Sequence, residues 1–202
     1  MWRAFRRAGL GLACVALAGI TEAKAAPFQI YGGMDDGAGA VSEAQRVRPV
    51  PEELKRRTIA FATDLPPGSI VVKTGARRLY FVLPGGRAIE YRVGVGREGY
   101  AWTGRNAITA KARWPDWRPP PEMIAREKKR GRTLAAFVPG GPENTLGARA
   151  LYIGDTMFRI HGTSEAWSVG EAVSSGCIRM LNAEVVDLYE RVAVGAAVVV
   201  EE

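Results

Sequence analysis

Residues 69–95 read SIVVKTGARRLYFVLPGGRAIEYRVGV, and apolar and polar side chains alternate along much of this stretch. The pattern predicts a strand at residues 79–83, a turn at residues 84–86 and a second strand at residues 89–95. Because successive side chains of a strand point to opposite faces, the second strand has one apolar face. That face carries Ile89, Tyr91, Val93 and Val95, and the opposite face carries Glu90 and Arg92. The stretch therefore predicts an antiparallel hairpin with one side buried in a core.

Further apolar segments predict a mainly β domain. The turn pair Gly154-Asp155 predicts a second hairpin, whose last residue, His161, lies on the less apolar face of its strand. The other predicted strands lie at residues 70–72, 108–114, 151–153, 157–161 and 196–200.

Short helices are predicted at three places. Residues 52–62 form one candidate, and residues 122–130 form another, with proline in its first turn. Asn182 is expected to cap a third helix, in which apolar residues recur at helical spacing. The excursion at residues 115–135 is long enough to form a lid between strands.

The first 25 residues have the features of a secretory signal peptide. Arginines precede an apolar run at residues 8–20, and Ala23-Lys24-Ala25 offers the small residues that signal peptidase reads. A membrane anchor is the alternative, but this run falls short of the roughly 20 residues that a spanning helix needs. Lipoprotein processing at Cys14 and twin-arginine export fit less well. We therefore expect a periplasmic or otherwise exported protein that meets the membrane only during export.

Composition divides the rest of the chain into two parts. Residues 26–67 contain several glycines and prolines and few apolar side chains, so they are expected to be a flexible leader. Residues 68–202 are expected to form one catalytic domain. Loss of residues 1–25 removes four basic residues and one acid, which lowers the formal charge from +7 to +4. This modest charge argues against a nucleic-acid partner and suits an anionic polymer such as a cell wall.

The expected mature chain contains one thiol and one imidazole, Cys177 and His161. An internal disulfide and a two-cysteine redox cycle are therefore excluded for it. Structural zinc wants four ligands, so we expect no metal, and no motif points to a cofactor.

Cys177 and His161 are candidates for nucleophilic catalysis. A cysteine nucleophile needs a thiolate near neutral pH, which an adjacent imidazole can supply by forming an ion pair. Each residue has a glycine neighbour, Gly176 or Gly162, which allows a close approach of the substrate backbone. Taken singly, a buried cysteine and a packed histidine are the alternatives. Their joint uniqueness favours catalysis.

Two segments around these residues resemble the signature of the L,D-transpeptidase (YkuD-like) catalytic domain. They are residues 158–163, FRIHGT, and residues 174–180, SSGCIRM. The similarity extends over about residues 68–201. It implies the β-sandwich of that family, with one or two short helices.

The resemblance also implies roles for individual residues. Cys177 would be the nucleophile, and His161 the general base and later the general acid. Gly162 would hold the imidazole through its carbonyl. The amides of Gly176 and Cys177 would face the oxyanion, and Ser174 would order their loop.

For three further positions, the role suggested by the resemblance is absent or has an alternative. Ser175 stands where many members carry a second histidine, so any role of that imidazole is absent here. Arg179 would orient the loop or meet a substrate carboxylate, and a structural salt bridge is the alternative. Trp167 is the candidate for lining the substrate groove, with ordinary packing as the alternative.

The implied reaction is acyl transfer on peptidoglycan stem peptides. Cys177 would attack the third residue of a tetrapeptide stem, release the terminal D-Ala and pass the acyl group to an amine of a second stem. Water as acceptor would make the protein an L,D-carboxypeptidase, and a lysine of a wall-anchored lipoprotein would make it an attachment enzyme. A non-catalytic wall-binding domain is a further alternative, which the intact Cys177 and His161 disfavour.

Overall fold

The structure, a computed structural model, describes residues 52–202. The expected signal peptide, residues 1–25, and most of the expected leader lie outside the described residues. No helix within residues 52–202 is both long enough and apolar enough to cross a membrane.

The described chain is mainly β, as predicted, with eleven strands and two α-helices. The strands are β1 Arg57–Ala60, β2 Ile70–Lys73, β3 Arg78–Leu83, β4 Arg87–Arg92, β5 Val95–Gly96, β6 Gly104–Arg113, β7 Arg149–Ile153, β8 Arg159–His161, β9 Ala172–Ser174, β10 Ile178–Arg179 and β11 Ala197–Glu201. The helices are α1 Pro121–Lys129 and α2 Asn182–Arg191. Nine strands form one sheet in the order β1-β4-β3-β2-β11-β6-β7-β8-β10, and β5 pairs with β9.

The long strand β6 connects the two halves of the sheet and curves around the core. Its first half pairs with β11, its second half pairs with β7, and the register shifts between Ile108 and Ala110. A register shift of this kind bends a strand and increases its twist. The resulting curled sheet encloses one main core, to which β2, β4, β7, β8 and β10 all contribute.

The predicted hairpin at residues 79–95 is confirmed. Strands β3 and β4 pair antiparallel, and the predicted apolar face lies in the main core. Tyr91 is fully buried there, and its hydroxyl donates to Asp187 Oδ2 of α2 at 2.6 Å. That bond satisfies the only polar atom of the Tyr91 side chain, which burial would otherwise leave without a partner.

The helix predicted at residues 52–62 is wrong. A single 3₁₀ turn, Glu52–Leu54, is followed by β1, which pairs antiparallel with β4. Phe61 then stacks on Tyr80 with ring centroids 4.6 Å apart. The reason is that the outer face of the sheet is also apolar, and Ile59, Phe61 and Leu65 cover it. The boundary expected between residues 67 and 68 therefore lies inside the folded unit.

Helix α1 is confirmed, with proline at its first position, whereas the capping role predicted for Asn182 is wrong. Helix α2 begins at Asn182, and Leu181 is its N-cap residue, without a side-chain capping bond. The Asn182 side chain instead accepts a hydrogen bond from the Ala148 amide at 2.9 Å. A tertiary contact has thus replaced the local one.

The excursion expected to form a lid is closed at its base. Trp117 and Val138 form an antiparallel bridge with two backbone hydrogen bonds of 2.8 Å. The Gly140 amide donates to Asp116 Oδ1 at 2.9 Å. The residues between Trp117 and Val138, which include α1, therefore form a loop whose two ends are joined by this bridge.

We expect replacement of Phe61 by alanine to lower the free energy of unfolding by about 1–3 kcal/mol, because it exposes the outer apolar face and removes the stack on Tyr80. Urea denaturation of the full chain measures the effect. Phe137→Ala is the matched control, since Phe137 is 40% exposed and contacts Arg118 through its ring. Equal effects of the two substitutions would contradict a stabilising role for residues 57–65.

Candidate active site

The pairing of β8 with β10 brings the two candidate catalytic residues together. These strands run parallel, with Ile160 opposite Ile178 and His161 opposite Arg179. Both isoleucines are buried in the core. Because side chains alternate between faces, His161 and Cys177, the residue just before β10, both belong to the opposite face, two register positions apart.

His161 is held in one orientation and shielded from water. It is 3% exposed, and its Nδ1 lies 2.5 Å from the Gly162 carbonyl oxygen. A carbonyl only accepts, so Nδ1 carries the proton, and in the neutral ring Nε2 is left with a free lone pair. Burial lowers the pKa of His161 to about 4, although the bond to Gly162 opposes this shift. At neutral pH the imidazole is therefore a neutral base.

Gly162 must be glycine because of its neighbours. A Cβ there would lie 2.2 Å from Asn182 Oδ1 and 3.0 Å from the Ala148 nitrogen. The backbone of Gly162, whose carbonyl accepts the hydrogen bond from the imidazole, thus packs closely against the start of α2. The contact of Gly162 with His161 is the one that the family resemblance implies.

Cys177 lies just before β10 and is half-buried. Its Sγ lies 3.8 Å from the Met157 carbonyl oxygen, a weak thiol hydrogen bond. Burial raises the pKa of the Cys177 thiol, while Arg159 opposes the rise. Burial therefore disfavours both the Cys177 thiolate and the His161 imidazolium, the two charged forms that the ion pair expected from the sequence requires.

Ser174 ties together both ends of the loop that carries Cys177. Its hydroxyl donates to the Cys177 carbonyl at 2.6 Å and accepts from the Gly176 amide at 3.1 Å. The Gly176 amide was expected to face the oxyanion, but this second bond directs it to Ser174 within the loop. Among the described residues the Cys177 amide has no acceptor, so this amide is left for an oxyanion.

Gly176 is enclosed by two aromatic rings. It has φ of +108°, and a Cβ would lie 2.4 Å from Phe158 Cε1. Trp102 stacks on Phe158 with ring centroids 4.8 Å apart, and its Nε1 donates to the Gly176 carbonyl at 3.2 Å. These rings fix the loop next to the nucleophile. The sequence does not predict their role, because Trp102 and Phe158 contact each other and Gly176 only through the tertiary fold.

The remaining predicted residues lie around the site. Arg179 donates to Glu165 Oε2 at 2.6 Å, which is the structural salt bridge kept as the alternative. Ser175 is half-buried in the nucleophile loop. Trp167 is 66% exposed in the 3₁₀ turn Ala166–Ser168 and thus available to a ligand. No cluster of three metal-ligating side chains occurs within residues 52–202.

We expect Gly176→Ala to slow alkylation of Cys177 by iodoacetamide at least tenfold, because a methyl group cannot fit against Phe158 and the φ disfavours it. Peptide-resolved mass spectrometry measures the rate. Gly141→Ala is the matched control, since a Cβ there meets nothing within 4 Å. An unchanged rate in Gly176→Ala would show that the loop does not depend on this packing.

The chain has a single histidine, so NMR reads its state without overlap. We expect the imidazole to stay neutral, with the proton on Nδ1, from pH 8 down to about pH 5 and to titrate with a pKa of about 4. In an unfolded chain the pKa is about 6.5. Burial of neutral His161 thus contributes to stability above pH 6.5, and the contribution is lost as the pH falls towards 4. A native-state midpoint near 6.5 would contradict the burial argument.

Relatives with known names share this part of the chain. The sequence profile of the L,D-transpeptidase catalytic domain (YkuD) matches residues 67–200. The probable L,D-transpeptidase ErfK/SrfK of Escherichia coli K12 is 40% identical over 133 residues, which cover 64% of this chain and 42% of that protein. The probable L,D-transpeptidase YbiS of the same strain is 37% identical over 134 residues, covering 64% and 43%. The match thus spans about two fifths of these relatives' length.

Solved structures agree in fold. An L,D-transpeptidase from Mycobacterium smegmatis aligns with a TM-score of 0.53 at 15% identity, over 82% of this chain and 88% of that one. L,D-transpeptidase 3 from Mycobacterium tuberculosis, in complex with a faropenem-derived adduct, aligns with a TM-score of 0.51 at 17% identity, over 68% and 61%. Since the profile matches well over half of the 202 residues, the chain belongs to the L,D-transpeptidase catalytic domain family.

Proposed function

We propose that this protein is a peptidoglycan L,D-transpeptidase in which Cys177 is the nucleophile and His161 the base. The observation that carries the proposal is the parallel pairing of β8 with β10, which places the single histidine and Cys177 on one face of the sheet. Membership of the family and the names of its relatives support the reaction class. The substrate is a tetrapeptide stem of peptidoglycan.

The first half-reaction acylates the thiol. His161 Nε2 takes the proton of Cys177 as Sγ attacks the carbonyl carbon of the third stem residue. The negative charge on the carbonyl oxygen is stabilised by the Cys177 amide. As the oxyanion collapses, the bond to D-Ala breaks, and its amine leaves with the proton from His161. A thioester on Cys177 remains.

The second half-reaction transfers the acyl group. An amine of a second stem attacks the thioester and gives a proton to His161, and the thiol is regenerated when that proton returns to sulfur. A neutral imidazole suits this cycle, because it is ready to accept a proton at the start of each half-reaction. Arg179 acts here through Glu165, by fixing the segment between His161 and Cys177. Trp167 and the loop closed by Trp117 and Val138 are the surfaces proposed to border the stem.

The proposal includes export of the protein to the cell envelope. Residues 1–25 are proposed to be a cleaved signal peptide that takes the enzyme to the periplasm, or otherwise to the cell envelope, where the polymer lies. The acceptor there is a second stem; water or a lipoprotein lysine in its place would give the carboxypeptidase or the attachment enzyme.

Mass spectrometry of muropeptide products tests the proposal. Purified protein is incubated with disaccharide-tetrapeptide muropeptides, with and without a lysine-containing acceptor peptide, and we expect a cross-linked dimer that lacks one D-Ala. Cys177→Ala is expected to give no product, since no other thiol of the described chain can form the thioester.

A monomer lacking D-Ala, or a product with the acceptor peptide, would reassign the acceptor and leave the acyl-enzyme in place. Dimer formation by Cys177→Ala would contradict the mechanism. No product from the folded wild-type protein would contradict the substrate class.

A further inference from the structure

Arg159 lies beside the nucleophile and has no role in the mechanism above. It is the first residue of β8, and Ile160 next to it is buried in the core. The register that sets Ile160 opposite Ile178 sets Arg159 opposite Cys177. Arg159 and Cys177 therefore occupy neighbouring positions on the same face of the sheet.

The two side chains also share one hydrogen-bond acceptor. Arg159 Nη1 donates to the Met157 carbonyl at 3.1 Å, and the same oxygen lies 3.8 Å from Cys177 Sγ. Held by this oxygen, the guanidinium stays close to the thiol. Its Cζ atom lies 5.2 Å from the ring centroid of Tyr152, which is opposite Arg159 on the neighbouring strand β7.

The charge of Arg159 is not balanced by an acid. No carboxylate within residues 52–202 forms an ion pair with it, and its Nε is buried without a hydrogen-bond partner. Arg179, the other arginine on this face, is neutralised by Glu165 at 2.6 Å. His161, on the same face, is neutral at pH 7, because burial lowers its pKa to about 4.

Arg159 is half-buried, and a positive charge that is partly removed from water without a counter-ion is stabilised when a negative charge forms near it. The thiolate of Cys177 is the negative charge that the reaction creates at this place. We propose that Arg159 is a positioning residue for the nucleophile, whose uncompensated charge stabilises the thiolate as Cys177 loses its proton to His161. This inference deepens the proposed function and rests on Cys177 being its nucleophile.

The pH dependence of Cys177 alkylation by iodoacetamide tests the inference without any substrate. The full-length protein is used, and the rate is read on the peptide that contains Cys177, so that Cys14 does not contribute. An opposite charge at this range shifts a pKa by roughly one unit or more. We therefore expect Arg159→Gln to raise the thiol pKa and to slow alkylation at pH 7 about tenfold. Arg159→Lys keeps the charge and is expected to stay within about threefold of wild type.

Arg113→Gln is the matched control, because it removes an arginine of a nearby strand whose side chain is 65% exposed and paired with Glu190. We expect it to leave the alkylation profile unchanged. Thermal unfolding of every variant identifies a loss of folding. Should Arg159→Gln not fold, Arg159→Lys and Arg159→Met carry the same comparison.

NMR of the single imidazole gives an independent measurement. The Arg159 charge also disfavours the imidazolium, so Arg159→Gln is expected to raise the His161 pKa while Arg159→Lys leaves it in place. An unchanged alkylation profile in Arg159→Gln, or equal slowing in the glutamine and lysine variants, would overturn the inference. Failure of muropeptide turnover alongside a shifted alkylation profile would reject the proposed function and leave the role of Arg159 standing.

Discussion

The site depends on two isoleucines that face the core from neighbouring parallel strands. Ile160 and Ile178 are buried opposite each other, and burial of both fixes the register of β8 against β10. A slip by one residue would turn every side chain of these short strands to the other face, at the cost of exposing apolar surface. Hydrophobic burial on one face of the sheet thus determines which polar side chains meet on the other. The imidazole and the thiol are brought together by the core beneath them.

The same burial sets the chemistry of the pair. Loss of water disfavours charge on both His161 and Cys177, so burial favours the neutral forms of the proposed base and the proposed nucleophile. In the proposed reaction, charge develops only after the substrate is bound, in a site of low polarity where the proposed donor and the Arg159 charge act strongly. Gly162 and the aromatic pair around Gly176 supply the rigidity that such a site requires. Stability of the fold and reactivity of the thiol are linked through these contacts.

Local patterns were enough to predict much of the fold. Strands β3, β4 and β8 follow from alternating apolar residues, and β2, β7 and β11 from short apolar runs, because both patterns lie in consecutive residues. Strand β1 cannot be recognised from its own residues, because it is stabilised by β4 and by an outer apolar face that distant strands form. Asn182 was assigned to a cap for the same reason: its actual partner, Ala148, is 34 residues away. Cys177 and His161 stood out by their uniqueness, whereas Arg159 and Trp102 gain meaning only from the three-dimensional pairing.

The central claim is that an acyl group passes through Cys177. Acid quenching of the wild-type protein during turnover of a tetrapeptide muropeptide, followed by mass spectrometry of the peptide that contains Cys177, tests this most directly. The account predicts an adduct of the stem minus its terminal D-Ala, joined to Cys177 and released by hydroxylamine as a thioester. Turnover with Cys177 unmodified at every quench time, and retained when Cys177 is replaced by alanine, would contradict it.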